Sequence, residues 1–597
     1  MDKFVIGSVT TVKGVSVKAK INPNLYQTTY FYDGEIYRGV SINEFILIRK
    51  GYHDLVGKVE GEEIIENKYS HESELEQKKF DRFVDIKILG YFQDGEFNPG
   101  IKFLPMIDDK LFLISDKLIS KIYTFNPNKS KRTLSIGSSL LEGISIELPI
   151  NGIYNSHIGI FGNTGSGKSN TLAKLYVSLF ELMEKNEKFP NSSTFLLIDF
   201  NGEYNQISNK FKNRSEYIKL STQSKKGDQK LDIRKNDFWD DELLSVIFSA
   251  TEKTQKPFLT HLVKNRNHFG ENLTDYLNKT LSIMFDTNQS KETINLIRSI
   301  THLLPNKVKI ENELSVILWH TQQQKYYHIK NGANRIFNTP KEALDVLPSL
   351  RDIKIPQVGM DVFTEVTLRA TLQLINSVSK NYVQYEHISP LINKISAMSN
   401  SLSKVINVTD TIEEKEKKNI KIISLKNCNQ DTKKSIPMML AKCSFIEHKK
   451  NFENNKSFHF IIDEAHNILS DSSTRESESW KDYRLELFEE IIKEGRKFGF
   501  FLTIASQRPS DISPTIISQI HNYFLHRLIN ENDLFLLKNS ISSLDSSSRS
   551  QIPILPPGAC ILSGTAFHTP MIIQVKKLVD ESSPQSNTID LEGLWEL

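Results

Sequence analysis

The stretch that decides the fold runs from residue 157 to residue 185 and reads HIGIFGNTGSGKSNTLAKLYVSLFELMEK. It begins with a short apolar run, typical of a buried strand, and continues into a glycine-rich loop. Leucines then recur at helical spacing, at Leu172, Leu175, Leu179 and Leu182. A second apolar run, TFLLIDF, follows at 194–200. The order strand, loop, helix, strand predicts an α/β unit with a parallel sheet.

The loop from Gly162 to Ser169 matches the phosphate-binding pattern G-x-x-x-x-G-K-[ST]. Glycines let the backbone turn so that successive N–H groups point at phosphate oxygens, and the start of the following helix favours an anion. Lys168 is expected to reach the β- and γ-phosphates of ATP, and the Ser169 hydroxyl to ligate Mg²⁺. The predicted nucleotide-binding residues are Gly162, Asn163, Thr164, Gly165, Ser166, Gly167, Lys168, Ser169 and Asn170.

A pair of acids far downstream, Asp463 and Glu464, ends the apolar run FHFII at 458–462. An acid at the carboxyl end of a strand lies beside the ligand-binding edge of a parallel sheet. Asp463 is therefore predicted to hold the Mg²⁺ together with Ser169, and Glu464 to activate the attacking water as a general base. The alternative is a helix N-cap pair that opens the segment EAHNIL.

A similar acid, Asp199, ends the run FLLID, and the letters DFNG fit the D-x-x-G pattern of GTPases. The companion pattern N-K-x-D is absent from the sequence, which argues against guanine specificity. Asp199 and Glu203 are candidates for supporting acids that orient water near the phosphates. A plain turn is the alternative.

Two more polar residues are candidate catalytic groups. Gln507 follows the run GFFLTIAS at 499–506 and could contact the γ-phosphate, or could belong to a turn ended by Pro509. Arg496 ends an amphipathic helix in EEIIKEGRKFG. Helix C-termini favour cations on electrostatic grounds alone. The other interpretation is an arginine finger that acts on the nucleotide of a neighbouring subunit.

The remaining sequence divides into regions with different patterns of apolar and polar residues. The first part alternates apolar and polar residues between glycine turns, which predicts a small barrel or sandwich, with an irregular β domain as the alternative. A long middle region has helical spacing and few strand-like runs, which predicts a helical insertion. The predicted division is a β-barrel at 1–130, an ATPase core at 131–235 and 416–580, a helical insertion at 236–415 and a tail at 581–597.

Bulk composition limits the function classes only weakly. The chain has 597 residues, which is too long for one ordinary core. With 75 basic and 72 acidic residues, net charge gives no general argument for nucleic-acid binding. The three cysteines are scattered, so a disulfide framework is not expected. No apolar run approaches the ~20 residues of a membrane span. We expect a soluble, cytoplasmic protein.

Five segments, GNTGSGKSNT, LLIDFNGEY, IIDEAHNIL, EGRKFG and SQRP, resemble in content and order the HerA branch of the FtsK–HerA translocases. The resemblance covers about two-thirds of the chain and is weakest over 236–415. It implies a RecA-like ATPase core behind an N-terminal β-barrel, a homo-hexameric ring, and ATP-driven movement of double-stranded DNA through the pore. It also implies that Arg496 is the arginine that acts in trans and that Gln507 is the sensor.

Two functions remain open on the sequence. One is a motor that translocates or unwinds duplex DNA with a nuclease or other effector, in DNA end processing or antiphage defence. The other is an ATP-dependent platform that activates an effector with little translocation. A small-molecule kinase is disfavoured because it needs neither the barrel nor the insertion.

The chain itself carries no zinc spacing and no H-E-x-x-H pattern, so the effector is expected to be a separate polypeptide that docks on the barrel. The apolar end of the tail, with Leu594, Trp595 and Leu597, is expected to dock on the ATPase core of its own or an adjacent subunit.

Overall fold

The structure is a computed structural model that describes residues 5–22, 25, 27–66, 80–123, 132–223, 229–270, 272–286, 288–330, 333–356, 359–410, 418–452, 455–471, 478–541, 544–578, 582–585 and 595. The chain divides into two compact units. The first comprises Met1–Phe189, Ile462–His466 and Ile492–Leu597, and the second Pro190–Ile461 and Asn467–Ile491. None of the described helices is both long enough and apolar enough for a bilayer crossing.

The first unit opens with β1 (Val5–Lys13), β2 (Ser16–Ile21), β3 (Thr29–Tyr32), β4 (Glu35–Arg38), β5 (Phe45–Lys50), β6 (His53–Glu66), β7 (Phe80–Gln93), β8 (Glu96–Pro99) and β9 (Lys110–Leu113). Six of these strands close an antiparallel ring in the order β2-β1-β9-β5-β6-β7, because β7 pairs back to β2. Alternate residues point inward and fill the ring with branched apolar side chains. These include Ile6, Val17, Ile46, Val59, Val84 and Leu111. The predicted barrel is confirmed.

The phosphate loop follows in the same unit. The elements here are α1 (Asp116–Tyr123), β10 (Thr133–Ser139), β11 (Ser145–Pro149), α2 (Ile150–Tyr154), β12 (Ile158–Phe161) and α3 (Lys168–Leu182). All four residues of β12 are buried. Leu172, Leu175 and Leu179 of α3 are buried as their spacing predicts, whereas Leu182 is exposed at the end of the helix. The predicted strand–loop–helix unit is confirmed.

The next elements belong mainly to the second unit. The helices are α4 (Phe189–Ser192), α5 (Asn205–Lys210), α6 (Lys235–Phe238), α7 (Asp241–Ile247), α8 (Gln255–Phe269), α9 (Leu273–Met284), α10 (Lys291–Ile300), α11 (Lys307–Ser315), α12 (Pro340–Leu344), α13 (Pro348–Arg351), α14 (Val362–Ser379), α15 (Tyr385–Val405), α16 (Gln430–Lys450), α17 (His466–Leu469) and α18 (Glu478–Glu494), with a 3₁₀ turn at Thr301–Leu303. The strands are β13 (Ser193–Asp199), β14 (Ser215–Ser221), β15 (Leu231–Arg234), β16 (Ile317–His320), β17 (Lys325–Lys330), β18 (Ala333–Ile336), β19 (Ile406–Thr409), β20 (Ile420–Asn427) and β21 (Ser457–Ile462).

Within the second unit, β13, β20 and β14 pair in parallel, and β15 pairs in parallel with β19. The stretch 236–415 is mostly helical, but it also contains a three-stranded antiparallel sheet, β16–β17–β18, that the sequence analysis did not predict. This sheet is held by aromatic contacts within its own hairpins and to α9's neighbour Phe285, which packs edge-on against Tyr326 and Phe337. Trp319 packs edge-on against Tyr326, and His328 stacks on Phe337.

The chain then completes the first unit with β22 (Phe500–Ser506), α19 (Pro514–Ser518), β23 (Asn522–Leu525), α20 (Glu531–Ser540), α21 (Ser546–Gln551), β24 (Ala559–Gly564) and β25 (Met571–Val575), and with 3₁₀ turns at Gly495–Phe498, Pro509–Asp511 and Ile552–Ile554. The strands of this unit lie in the order β11-β10-β25-β24-β23-β12-β22.

The three central strands of the first unit, β22, β12 and β23, are parallel. Their carboxyl ends therefore meet at one edge of the sheet, which we call the carboxyl edge. Gly162, Gln507 and His526 lie there, each close behind the end of its strand. The opposite edge, which we call the amino edge, carries His157 and His521, each immediately before its strand.

The domain division given above stays a prediction, and the tail from 581 to 597 lies largely outside the described residues. Trp595 is described, and its side chain is 60% exposed in the single chain.

Candidate nucleotide-binding site

The phosphate loop needs its glycines for two different reasons. Gly165 and Gly167 have φ values of 75° and 105°, a left-handed backbone that residues with a side chain rarely adopt. Gly162 is needed for space, because an added Cβ would lie 2.5 Å from both the Cβ of His526 and the Oγ of Ser166. The loop thus turns tightly between β12 and α3, so that the first turn of α3 begins at Lys168.

Backbone hydrogen bonds hold the loop from below. The N–H of Gly558 donates to the carbonyl of Ser166 at 2.9 Å, and the N–H of Asn163 donates to the carbonyl of Arg527 at 2.9 Å. His526 is fully buried under the loop, with Nδ1 2.8 Å from the carbonyl oxygen of Ala559. Burial lowers the pKa of His526 to about 4, so its imidazole is neutral.

This support under the phosphate loop was not predicted from the sequence. Its signals are His526, directly after the buried strand NYFL, and the turn PPG before ACILSG.

Lys168 joins the two halves of the predicted site. Its Nζ lies 2.9 Å from Oδ1 of Asp463 and 2.9 Å from Oε1 of Glu464, and all three side chains are nearly inaccessible to solvent. Burial by itself lowers the pKa of Lys168, but the charges and hydrogen bonds of the two carboxylates outweigh burial, so the pKa is raised. One ammonium faces two carboxylates, which leaves an excess of acidic groups in a buried site.

Gln507 extends this group toward the loop. Its Nε2 donates to Oε1 of Glu464 at 2.6 Å, and its Oε1 accepts a hydrogen bond from the Thr164 hydroxyl at 2.5 Å. Glu464 has a φ of 49°, an unusual value for a residue with a side chain and one that is frequent at functional sites. The structure therefore brings together Thr164, Lys168, Asp463, Glu464 and Gln507.

His466 is a further neighbour that the sequence analysis did not single out. Its Nδ1 lies 3.3 Å from Oε2 of Glu464 and 3.3 Å from the hydroxyl of Ser506. Burial lowers its pKa, and Glu464 opposes that effect. A neutral imidazole can donate a hydrogen bond from Nδ1 to the Glu464 carboxylate without adding a fixed positive charge.

Ser169 and Asn170 lie in the first turn of α3. The side-chain amide of Asn170 holds the segment that follows β25, because Oδ1 accepts from the N–H of Leu578 at 3.0 Å and Nδ2 donates to the carbonyl of Lys576 at 3.4 Å. The roles of both residues toward a nucleotide stay predictions.

The donor set fits Mg²⁺. The Ser169 hydroxyl and the Asp463 carboxylate offer the hard oxygen ligands that Mg²⁺ prefers, and the excess of acidic groups favours a cation. Among the described residues no group of three or more His, Cys, Asp or Glu side chains could hold a metal by itself. Mg²⁺ needs only one or two protein ligands when phosphate oxygens and water complete its coordination shell.

Three predicted residues are not part of this group. Arg496 lies exposed in the 3₁₀ turn at Gly495–Phe498, with Nη1 3.4 Å from Nε2 of His521. Asp199 and Glu203 belong to the second unit. Asp199 accepts backbone hydrogen bonds from Gly202, Glu203 and Tyr204 at 2.7, 3.0 and 3.1 Å.

Comparison with known proteins places the chain in a family. A family model described as "Helicase HerA, central domain" matches residues 134–442. The DNA double-strand break repair helicase HerA of Sulfolobus acidocaldarius is 22% identical over 593 residues, covering 96% of this chain and 92% of that protein. The protein of the same name from Saccharolobus solfataricus is 21% identical over 470 residues, covering 77% and 72%.

Among solved structures, the bacterial conjugative coupling protein TrwB aligns with a TM-score of 0.43 at 11% identity, covering 82% of this chain and 97% of that chain. The family model alone spans more than half of the 597 residues. The chain therefore belongs to the HerA helicase family and carries the phosphate-loop core of a helicase-type ATPase.

Proposed function

We propose that this protein is a ring-forming ATPase, a homo-hexamer that uses ATP hydrolysis to move double-stranded DNA. The observation that carries the proposal is the buried group of Lys168, Asp463 and Glu464 beside Gln507, in a chain of the HerA family. The relatives named for double-strand break repair favour DNA end processing as its setting. Antiphage defence is the other setting that the resemblance allows.

The residues of the site suggest how hydrolysis proceeds. The Lys168 ammonium, paired with two carboxylates in the free chain, turns to the β- and γ-phosphates when ATP binds. Ser169 and Asp463 would hold Mg²⁺, which neutralises charge on the phosphates. Glu464, released from Lys168, accepts the proton of the attacking water. The Gln507 side chain is hydrogen-bonded to both Glu464 and Thr164. A change at the phosphate loop when the γ-phosphate is bound or lost can therefore reach β22 through Gln507.

Arg496 acts, in this proposal, on the nucleotide of a neighbouring subunit. Arg496 precedes β22, whereas Gln507 follows it, so the seven residues of that strand separate the arginine from the carboxyl edge of its own chain. Seven strand residues span roughly 23 Å. An arginine side chain is much shorter than that distance. An exposed guanidinium at the amino edge is therefore available to a second copy of the chain.

The barrel is the proposed docking surface for a separate nuclease or other effector. Its loop at 100–109 and the turn between β5 and β6 carry exposed apolar side chains, at Tyr52, Ile101, Leu104, Met106 and Ile107. The two segments are in contact, because the Lys50 ammonium donates to the carbonyl of Leu104 at 2.5 Å and His53 stacks on Phe103. Exposed apolar clusters are typical of protein-binding sites. This surface also supports the alternative function, an ATP-dependent platform for an effector.

The proposed tail contact has partial support. Asn170, two residues after Lys168, bonds the backbone of Lys576 and Leu578, so the chain leaves β25 along the first turn of α3. The position of Lys576 and Leu578 beside α3 supports the proposal that the tail at 581–597 docks near the nucleotide site of its own or an adjacent subunit.

The test is ATPase activity with and without linear duplex DNA, combined with native mass spectrometry. We expect a hexamer whose turnover is stimulated by DNA and abolished in Lys168→Ala. Absence of DNA stimulation in an intact hexamer, with effector activity that still depends on ATP binding, would favour the platform. Failure to hydrolyse ATP at all would contradict both functions.

A further inference from the structure

The amino edge of the sheet in the first unit carries a cluster of two histidines beside Arg496. Two histidines, His157 and His521, precede the neighbouring parallel strands β12 and β23. Their rings lie 5.7 Å apart, centre to centre. Arg496 approaches the outer one of the two, His521. The arginine is thus held at the end of the sheet opposite to the phosphate loop.

His521 is fixed by its backbone, so its ring has a defined position. The N–H of His521 donates to the carbonyl of His157 at 3.1 Å, and the carbonyl of His521 accepts from the N–H of Thr565 at 2.9 Å. Gly564 leaves room for this arrangement, since a Cβ there would lie 2.1 Å from the carbonyl oxygen of His521.

The imidazole of His521 presents an acceptor to Arg496. Because the guanidinium can only donate, Nε2 of His521 must carry the lone pair and Nδ1 the proton. Nδ1 is buried and has no hydrogen-bond partner among the described residues, so the contact with Arg496 is the side-chain hydrogen bond that His521 makes. Burial first, and then the charge of Arg496, lowers the pKa of His521 and keeps the ring neutral.

His157 supports the arrangement from behind. It is fully buried, and its Nδ1 accepts from the backbone N–H of Leu502 in β22 at 3.0 Å. Burial lowers the pKa of His157 to about 3, so it adds no positive charge beside Arg496. The four residues of β12 connect His157 directly to Gly162 of the phosphate loop.

We propose that His521 is a positioning residue that accepts a hydrogen bond from Arg496 and directs the guanidinium toward the nucleotide of the neighbouring subunit. This inference rests on the proposed action of Arg496 in trans. An unheld arginine at an exposed turn samples many rotamers, and only a few of them place the guanidinium against a γ-phosphate. A neutral acceptor on a rigid strand end restricts that sampling without competing for the negative charge of the nucleotide.

The test compares two variants of the full-length hexamer. His521→Leu removes the acceptor, and we expect kcat for ATP to fall about 10-fold with KM within about 3-fold, because the phosphate loop of the same chain is intact. His521→Gln keeps an acceptor and should recover much of the loss. His568→Leu is the matched control, a half-buried histidine of the same unit that packs against Phe97, and should leave turnover unchanged.

Mixed rings separate positioning from a structural effect. Subunits with Lys168→Ala lack a working phosphate loop but keep the Arg496–His521 pair. Mixing them with His521→Leu subunits should restore turnover, because an intact pair then faces an intact loop. The inference would be overturned if turnover is restored neither in the mixed rings, with subunit exchange verified, nor in His521→Gln.

Arg496→Ala distinguishes failure of this inference from failure of the proposed function. If Arg496→Ala keeps wild-type turnover, the proposal that Arg496 acts in trans is wrong. If Arg496→Ala lowers turnover and His521→Leu does not, only the positioning role of His521 is wrong. If Arg496→Ala and His521→Leu each lower turnover, the double variant with both substitutions should be no slower than Arg496→Ala alone.

Discussion

Two strand ends in this molecule share the pattern of an apolar run that ends in Ile-Asp with a glutamate close behind, and they have different surroundings. FLLIDFNGE places Asp199 at the last position of β13 and Glu203 shortly after it, and FHFIIDEAH places Asp463 and Glu464 directly after β21. Asp199 directs its carboxylate into its own loop, where three backbone N–H groups bind it. Asp463 and Glu464 instead bind a lysine almost three hundred positions earlier in the chain.

The difference shows what distinguishes a structural acid from a reactive one. The hydrogen bonds of Asp199 lie within five residues, so they form with the turn and do not depend on a ligand. The Asp463–Glu464 pair shares one mobile ammonium, and a bound nucleotide can draw that ammonium away. A carboxylate satisfied by backbone stabilises a loop, whereas one satisfied by a side chain can exchange its partner. The predictions below test this contrast.

The largest expected effect is in catalysis. Glu464→Gln removes the base, and we expect turnover to fall about 100-fold to 10,000-fold while ATP binding is retained. Glu203→Gln, the corresponding change after β13, should alter turnover less than about 3-fold. Steady-state ATPase assays and equilibrium nucleotide binding measure both. Equal losses of turnover in Glu464→Gln and Glu203→Gln would contradict the contrast between a reactive and a structural acid pair.

The second prediction concerns the shared lysine. Lys168→Met leaves two buried carboxylates without their cation, and removal of one partner of a buried ion pair costs about 3–5 kcal/mol. We expect a lower midpoint of thermal unfolding for the free protein. Lys110→Met is the control, because Lys110 pairs with Asp108 at the surface and exposed pairs contribute little. An unchanged midpoint in Lys168→Met would show that the pair is not buried in solution.

The third prediction concerns Asp199. Asp199→Ala leaves three N–H groups without their acceptor, and we expect local stability to fall by about 2 kcal/mol. Hydrogen exchange at the amides of Gly202, Glu203 and Tyr204 should become roughly 30-fold faster, with turnover within about 3-fold of wild type. Asp199→Asn keeps an acceptor oxygen and should show a smaller change. Loss of turnover with unchanged exchange would assign Asp199 to the reaction instead.

The smallest effect is expected at Gln507. Gln507→Leu breaks the hydrogen bonds to Glu464 and Thr164, and we expect turnover to fall about 10-fold with nucleotide affinity unchanged. Gln519→Leu, at the exposed end of α19, is the control and should behave as wild type. A loss of affinity rather than turnover would make Gln507 a binding residue.

Much of this site could be predicted from local sequence. The loop at 162–169 is defined by glycine backbone requirements and a lysine at fixed spacing, and both are local properties. The same holds for the acids at the ends of apolar strands. His526, Gly558 and His521 were not predicted, because each is important through a partner in another segment and its local sequence signal is weak. The sheet β16–β17–β18 was missed for the same reason, since its strands are short and Tyr326 and Phe337 pack against Phe285 in a distant segment.

By itself the sequence determined the chemistry available to this protein, namely a phosphate loop, two acid pairs and an arginine after a helix. Only the tertiary structure decided which acid pair meets Lys168, and that Arg496 lies at the amino edge with His521. The physical reason is strand order. The N–H of Ala465 donates to the carbonyl of Ala505 in β22, which holds Asp463 and Glu464 beside the phosphate loop. The parallel pairing of β22, β12 and β23 sets Arg496 and His521 at the opposite edge, and that pairing depends on contacts between segments more than three hundred residues apart.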